Sequence, residues 1–308
     1  MKKRWLLSAV SLLAAFSFVA SCAIHRRPPT GSADGLIGHP TTQLAKHYED
    51  LDYGCMLVVP YFLDIMGIYS LQRDRHVTEV KNFIDWSFAR LNKGDRWGLT
   101  GTIFDYVICC DGTEISTLQY DSADGYAGQF LMLVREYYRR TGDAEYIRRH
   151  KKKLFEVAYV LVHLQDERDG LAIAMIGYPV KYTMDNSEGY GGLKAFCELA
   201  AEMGWDDVED YRDARDAMKS GILKSLYDPV RRNFRWAVGK NGKVHSSSWD
   251  KVYPDSLAQI FPLLYGIVEP ESELGRHLWR EFSKRYSKRD MQGIEQEILY
   301  RMVKDMME

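Results

Sequence analysis

The segments YDSADGYAGQFL (residues 120–131) and KYTMDNSEGYGGL (residues 181–193) share an order of residues that recurs along the chain. In each, an acid, two small or polar residues, a second acid, a glycine and a tyrosine lead into an apolar run. A short break follows at residues 141–143 or 204–206, and apolar residues then recur three, four and seven positions apart. That spacing is the period of one buried helical face. Each unit is therefore predicted to be a helical hairpin.

The spacing of the leading acids extends this repeat in both directions. Asp52, Asp121, Asp185 and Asp255 are separated by 69, 64 and 70 residues, which predicts about four hairpins. One last helix is predicted at residues 294–307. Linear solenoids use shorter periods of roughly 33 to 47 residues. We therefore predict an all-α fold, a closed α/α toroid of helical hairpins in which the four acids converge at one face.

Turn-rich segments separate one hairpin from the next. Short runs with glycine nearby occur at residues 98–103 and at residues 233–238, the second run being followed by GKNG at residues 239–242. Such patterns are typical of strands joined by tight turns. Small β-hairpin insertions are therefore predicted at one end of the helices.

The N-terminus has the pattern of an export signal. Basic residues at positions 2–4 precede an apolar run at residues 5–20, which is shorter than the roughly 20 residues that a membrane span needs. The stretch VASC at residues 19–22 resembles a bacterial lipobox, and this implies a lipid on Cys22. An ordinary secreted protein with an incidental cysteine is the alternative.

These features divide the chain into a signal peptide at residues 1–21, a lipidated cysteine and tether at residues 22–40, and a toroid domain at residues 41–308. The tether is predicted from its proline, glycine and serine and from its lack of apolar periodicity. By resemblance to Gram-negative lipoproteins, Ala23 after the lipidated cysteine implies anchoring on the cell envelope, at the outer membrane facing the periplasm.

The composition restricts the partners of the chain. Removal of residues 1–21 takes away three of the 41 basic residues and leaves 38 against 43 acidic ones. This excess of acid argues against nucleic acid and against a polybasic membrane surface. None of the eight histidines lies beside a second histidine at ligand spacing, so no metal site and no cofactor are predicted.

Four cysteines lie beyond Cys22, in a compartment that permits disulfides, namely Cys55, Cys109, Cys110 and Cys197. Their spacing does not match that of a metal site. We predict buried thiols or one bridge. For the adjacent Cys109 and Cys110 we predict two small core side chains rather than a strained vicinal disulfide.

The acids at the helix starts have two interpretations. Asp-x-x-Asp and Asp-Asn-Ser-Glu before an apolar run are N-cap and capping-box patterns, worth about 1 kcal/mol. Their repetition beside aromatic residues favours a carbohydrate site, because sugar C–H faces pack on aromatic rings while sugar hydroxyls donate to carboxylates. The aromatic residues beside the acids are Tyr120, Tyr126, Tyr178, Tyr182, Tyr190, Trp236, Trp249 and Tyr253.

The hairpin period, the helix-start acids and the inserted β-hairpins resemble the six-hairpin glycosidase clan, the (α/α)6 barrels that include glycoside hydrolase families 8, 9, 15 and 88. The likeness spans residues 48–286 and includes VYPDSLAQIFPLLYGI at residues 252–267. In family 8 the general acid is the glutamate of a Ser-Glu-Gly-x-Gly-Tyr-Gly segment, which SEGYG at residues 187–191 resembles with residues missing. This stretch lies in the third hairpin, whereas the family's motif lies on the first, and four hairpins fall short of six.

The resemblance implies a glycoside hydrolase that acts on a bacterial or environmental polysaccharide through two carboxyl groups, with inversion. Glu188 is the expected general acid, and Asp121 or Asp124 is the expected base. Inversion requires these carboxyls to lie about 6.5 to 9.5 Å apart. The residues expected to bind the sugar are Asp185, Asp255, Asp105, Tyr120, Tyr126, Tyr182, Tyr190, Trp236, Trp249, Tyr253 and Lys181.

Two other functions are compatible with the sequence. A polysaccharide lyase would use Lys181 and Tyr182, assisted by Arg235, although an acid-lined cleft would repel a uronate. A non-catalytic lipoprotein that binds polysaccharide in exopolysaccharide synthesis or export would keep the aromatic residues without needing two catalytic carboxyls.

Overall fold

The computed structural model describes residues 39–45, 56–109 and 111–308. The predictions on the signal peptide, on the lipid of Cys22, on nearly all of the tether and on Asp52 lie outside the described residues. Within these ranges, no helix combines the length and the apolar character that crossing a membrane requires.

Helices make up most of the described residues. Eleven α-helices lie there: α1 (Pro40–Ala45), α2 (Pro60–Leu71), α3 (Val77–Arg90), α4 (Ala123–Thr141), α5 (Ala144–Arg149), α6 (Lys151–Leu164), α7 (Thr183–Met203), α8 (Glu209–Gly221), α9 (Leu257–Leu264), α10 (Glu273–Arg285) and α11 (Ile294–Met307). A π-helical turn at Ile222–Leu226 extends α8, and another at Val252–Ser256 leads into α9.

The helices pair into four hairpins, α2 with α3, α4 with α6, α7 with α8 and α9 with α10. The first helices of the four pairs, α2, α4, α7 and α9, contact one another in turn. The final helix, α11, packs against both α9 and α2 and so closes this inner ring. The predicted α/α toroid of four hairpins and one last helix is therefore confirmed.

The hairpins turn where the sequence provides glycine. Gly142 follows α4 with a φ of 68°, and Gly204 follows α7 with a φ of 69°. Both lie in the left-handed region, which glycine adopts without a steric penalty and which commonly ends a helix. These are the breaks that the sequence predicts at residues 141–143 and 204–206.

Three small antiparallel sheets accompany the helices in the described ranges. Their strands are β1 (Met56–Val58), β2 (Tyr106–Ile108) and β3 (Glu114–Ser116) in the first, β4 (Lys181–Tyr182), β7 (Ala237–Val238) and β8 (Val244–His245) in the second, and β5 (Tyr227–Asp228) and β6 (Asn233–Phe234) in the third. The hairpin predicted around residues 233–238 is confirmed, since β7 turns back through residues 239–243 to pair with β8.

The hairpin predicted at residues 98–103 is wrong, because this segment forms a turn without strands. The carboxylate of Asp95 accepts hydrogen bonds from the amides of Trp97 and Leu99. A side chain that takes these amides competes with strand pairing.

Cys109 after β2 is disulfide-bonded, so the core thiol predicted for it is wrong, although one bridge was the stated alternative for the cysteines. Cys197 in α7 is a buried free thiol, as predicted. Cys55 and Cys110 lie outside the described residues.

Helices α4 and α7 cross with their backbones in contact. A Cβ placed on Gly128 would lie 2.5 Å from the carbonyl oxygen of Glu188, and one on Gly192 would lie 2.5 Å from the Cα of Gly128. No side chain fits at such distances, so the two glycines permit this approach. It brings the acid-bearing starts of the two helices together.

Gly128→Ala is expected to lower the free energy of unfolding by about 1 to 3 kcal/mol, as is typical of an overpacked core. The added methyl group meets backbone of α7, which moves only if the whole helix shifts. Chemical unfolding measures the change. The matched control is Gly94→Ala in an exposed turn, where a Cβ would come no closer than 3.8 Å to another residue. Equal stability of the two variants would contradict this account of the crossing.

Candidate functional site

The acids at the starts of α4 and α7 form one cluster. Asp121 lies just before α4 and Asp124 lies in its first turn, whereas Asp185 and Glu188 lie three residues apart at the start of α7. Residues three positions apart share one helix face. Asp185 and Glu188 therefore lie on one face of α7. The charge of Asp185 acts on Glu188 and on Asp124, and the charge of Asp121 acts on Asp185.

Glu188 is held by side chains from two other helices of the inner ring. Its Oε1 accepts a hydrogen bond of 2.6 Å from the hydroxyl of Tyr61 in α2 and one of 2.8 Å from the amide of Gln129 in α4. The same amide of Gln129 lies 2.5 Å from the hydroxyl of Tyr265, directly after α9. Among the described residues, no group donates a hydrogen bond to Oε2. The carboxyl is thus fixed through one oxygen, and the other remains available.

The environment of Glu188 favours its protonated form. Its side chain is only 1% exposed. Burial is the largest effect, and with the negative charge of Asp185 it raises the pKa of Glu188 well above the usual range, whereas the hydrogen bonds from Tyr61 and Gln129 oppose the shift. A Cβ on Gly125 would lie 3.0 Å from Oε2. Glycine at this position leaves room beside the protonated oxygen.

Asp124 is fully buried beside this group. Its Oδ1 accepts the amide of Gly125 at 2.9 Å, and its Oδ2 has no hydrogen-bond partner among the described residues. Burial, followed by the charge of Asp185, raises the pKa of Asp124 well above its usual value. The neutral form of Asp124 is therefore favoured. This favours Asp121 over Asp124 as the ionised member of the cluster.

Asp121 and Asp185 are the members of the cluster that solvent reaches. The side chain of Asp121 is exposed and that of Asp185 is partly exposed. Desolvation by the surrounding protein raises the pKa of Asp121. Desolvation and the charge of Asp121 together raise the pKa of Asp185 to about 7. Two accessible carboxyls therefore lie in front of two buried ones.

Asp105 and Tyr126 extend the cluster on one side. The hydroxyl of Tyr126 donates a hydrogen bond of 2.8 Å to Asp105, and its ring stacks on Tyr61 at a centroid distance of 5.7 Å. Burial raises the pKa of Asp105 to about 7, the hydrogen bond from Tyr126 opposes this shift, and the charge of Asp121 adds to it. Both predicted residues thus adjoin the acids.

Aromatic rings border the cluster on another side. The rings of Tyr182 and Trp236 stack at a centroid distance of 6.0 Å. Tyr253 is 53% exposed. Partial desolvation by the surrounding protein raises the pKa of Tyr253, and the charges of Asp185 and Asp121 raise it further. Tyr182 and Tyr253 therefore lie within range of the charge of Asp185, and Trp236 lies beside Tyr182.

Lys181 and Tyr182 point to different surroundings, as successive residues of a strand do. The ammonium of Lys181 lies 2.8 Å from a carboxylate oxygen of Asp166 and 2.7 Å from one of Asp169. Lys181 is thereby engaged in a mostly buried ion pair. The structure does not bring it into the acid cluster.

Four other predicted residues have partners of their own outside the cluster. Tyr120 donates to the carboxylate of Asp95, Tyr190 is buried beneath the ammonium of Lys219, Trp249 lies against the guanidinium of Arg285, and Asp255 accepts a hydrogen bond from Ser248.

Sequence reasoning missed the residues that hold Glu188. Gln129 was the most visible of them, since it is the one amide within an otherwise apolar run of α4, and a fully buried amide needs a partner. Tyr61 and Tyr265 carry no such signal, because tyrosines also occur in ordinary cores.

No family model matches the chain, and no curated protein matches it in sequence. Solved structures do match. A rhamnosidase from Klebsiella oxytoca with rhamnose bound has a TM-score of 0.55 and 12% identity, over 84% of this chain and 49% of that one. A family 78 rhamnosidase from Bacillus sp. GL1 has a TM-score of 0.52 and 14% identity, over 72% of this chain and 22% of that one. A glycosidase in complex with glucose has a TM-score of 0.51 and 14% identity, over 82% and 69% of the two chains.

These similarities define the fold as six-hairpin-glycosidase-like, and the resemblance predicted from the sequence is confirmed at that level. The chain spans about half and about a fifth of the lengths of the two rhamnosidases that it matches. At 12 to 14% identity the likeness concerns the fold alone.

Asp124→Asn is expected to make the free energy of unfolding less sensitive to rising pH. A raised pKa in the folded state means that Asp124 contributes stability below its unfolded pKa of about 4, and that this stability is lost as the pH rises through the folded pKa. The loss amounts to at most about 1.4 kcal/mol per pH unit. Asparagine keeps the bond from the Gly125 amide and does not ionise.

The free energy of unfolding between pH 4 and pH 9 measures this effect. The exposed Asp207→Asn serves as the control and should leave the slope as it is in the parent protein. A slope that Asp124→Asn also leaves unchanged would show that Asp124 does not titrate in the way its burial implies.

Proposed function

We propose that this protein is a glycoside hydrolase that cleaves a polysaccharide or oligosaccharide with two carboxyl groups. The observation that carries the proposal is the contrast between Glu188 and Asp121 at the starts of two neighbouring inner helices. Glu188 is buried in surroundings that favour its protonated form, and Asp121 is accessible to solvent. Glycosidases need such a pair, because an acid must protonate the leaving oxygen while a carboxylate activates water.

In the proposed reaction, Glu188 donates the proton of Oε2 to the glycosidic oxygen as the bond to the anomeric carbon breaks. Tyr61 and Gln129 bind Oε1, which orients the carboxyl and stabilises the charge that forms on it. Asp121 accepts a proton from the water that attacks the anomeric carbon from the opposite side, which gives inversion. The proton then returns to Glu188 through solvent.

The remaining members of the site would bind the sugar. Tyr182, Trp236 and Tyr253 offer ring faces for the C–H faces of pyranoses. Asp185 and Asp105, whose pKa values are raised to about 7, are half protonated near neutral pH and so accept from or donate to sugar hydroxyls.

Hydrolysis is preferred to elimination for two reasons. A lyase needs a cation to neutralise the carboxylate of a uronate, but Lys181 is paired with Asp166 and Asp169. A uronate would also meet the negative charge of Asp121.

Glu188→Gln and Asp121→Asn are each expected to lower the release of reducing sugar by at least about a hundredfold, since general acid–base catalysis contributes roughly 10²- to 10⁴-fold. The assay uses the soluble protein starting at Ala23 with a panel of bacterial exopolysaccharides and β-glucans. Asp207→Asn, in the exposed turn between α7 and α8, is the control and should keep full activity. If the parent protein binds a polymer but releases no reducing sugar from any of them, the protein is a binding lipoprotein and not a hydrolase.

We also propose that the protein is anchored to the cell envelope by a lipid on Cys22. The support is the lipobox-like stretch at residues 19–22 and the proline-containing segment that follows it. Cys22→Ala is expected to shift the protein from the membrane fraction to the soluble fraction and to abolish incorporation of labelled fatty acid. Persistence in the membrane fraction would exclude this anchor.

A further inference from the structure

Two exposed aromatic side chains lie beyond the rings that border the acid cluster. Trp97 is 46% exposed and Tyr178 is 47% exposed. Exposed aromatic surface lowers stability relative to burial by about 25 cal/mol per Å². A contiguous group of such side chains is characteristic of a binding surface. Neither residue has a role in the reaction proposed above.

Trp97 is presented by a tightly held turn. The carboxylate of Asp95 accepts the amide of Trp97 at 2.8 Å, the amide of Leu99 at 3.0 Å and the hydroxyl of Tyr120 at 2.6 Å. The guanidinium of Arg96 lies 5.2 Å from the centre of the indole ring. The backbone that carries the ring is thus fixed before any ligand arrives, which lowers the entropy lost on binding.

The turn that carries Tyr178 is fitted to this indole. Gly177 has a φ of 86°, and a Cβ there would lie 2.9 Å from the ring of Trp97. The indole therefore packs directly on the backbone of the residue before Tyr178, where a larger residue would displace it. The amide of Tyr178 closes the turn by donating to the carbonyl of Met175 at 3.0 Å.

The two rings are continuous with the candidate active site. The hydroxyl of Tyr178 lies 3.0 Å from that of Tyr182, and Tyr182 stacks on Trp236. Burial, the neighbouring Tyr178 and the charge of Asp185 raise the pKa of Tyr182. These four residues, Trp97, Tyr178, Tyr182 and Trp236, form an aromatic strip that leads away from the acids.

We propose that Trp97 and Tyr178 form a distal subsite that binds a neutral glycan chain several sugars away from the bond that is cleaved. The exposed rings of Trp97 and Tyr178 follow Tyr182 along the strip, as a chain of pyranoses requires, and the charge of Asp185 beside Tyr182 repels an anionic chain. The inference rests on the proposed hydrolase function and narrows its substrate to a polymer. A disaccharide would occupy the rings beside the acids without reaching Trp97.

The test measures binding in Glu188→Gln, which keeps substrate intact, by calorimetry. The ligands are linear neutral oligosaccharides of two and of six sugars, prepared from the polymer that the parent protein cleaves. Adding Trp97→Ala is expected to weaken binding of the six-sugar chain by about tenfold, as one good aromatic contact provides, and to change that of the two-sugar chain by less than about twofold. Trp97→Phe should restore most of the affinity.

The matched control is Tyr159→Ala, which removes a ring that is 47% exposed on α6, and it should affect neither ligand. Equal losses for both chain lengths in Trp97→Ala, or no loss for either, would overturn the distal subsite while leaving the hydrolase in place. Failure of the parent protein to cleave any polymer would overturn the proposed function, and the subsite with it.

Discussion

The hydrogen bonds from Tyr61 and Gln129 to one oxygen of Glu188 connect the inner ring at its centre. Through them and Tyr265, helices α2, α4, α7 and the end of α9 share one buried carboxyl group. A fixed Glu188 requires all of these helices in their places, since a buried carboxyl without partners would be strongly unfavourable. The same hydrogen bonds therefore constrain both the packing of the ring and the geometry of the site.

The surrounding protein raises the pKa values of the acid cluster above those of isolated carboxyl groups. Buried Glu188 and Asp124 are favoured in their neutral forms, and solvent reaches Asp121 and Asp185 in front of them. This difference in burial gives chemically similar groups different tendencies to ionise. The glycines at the crossing of α4 and α7 make it possible by bringing the two helix starts together.

The sequence predicts the features that depend on neighbours along the chain. Helical period, the turns at Gly142 and Gly204, and acids at helix starts are local patterns, and the toroid followed from their repetition. The partners of Glu188 could not be found in this way, because Tyr61 lies 127 residues away and only the closed ring brings it near. The segment at residues 98–103 does not form strands because its amides are bound within a turn. The amide of Leu99 donates to the carboxylate of Asp95, that of Gly98 to the carbonyl of Asp95, and that of Gly101 to the carbonyl of Asn92.

Closure of the ring by α11 affects how the chain folds. The ion pair between Arg73, after α2, and Asp305 of α11 joins residues 232 positions apart, and the link from Gln129 to Tyr265 spans 136 positions. Contacts between such distant residues form late and slow the folding of a chain, since the entropy of closing long loops is lost before they form. We therefore expect the local hairpins to form before the contacts that hold Glu188, since Tyr61 lies 127 positions away from it.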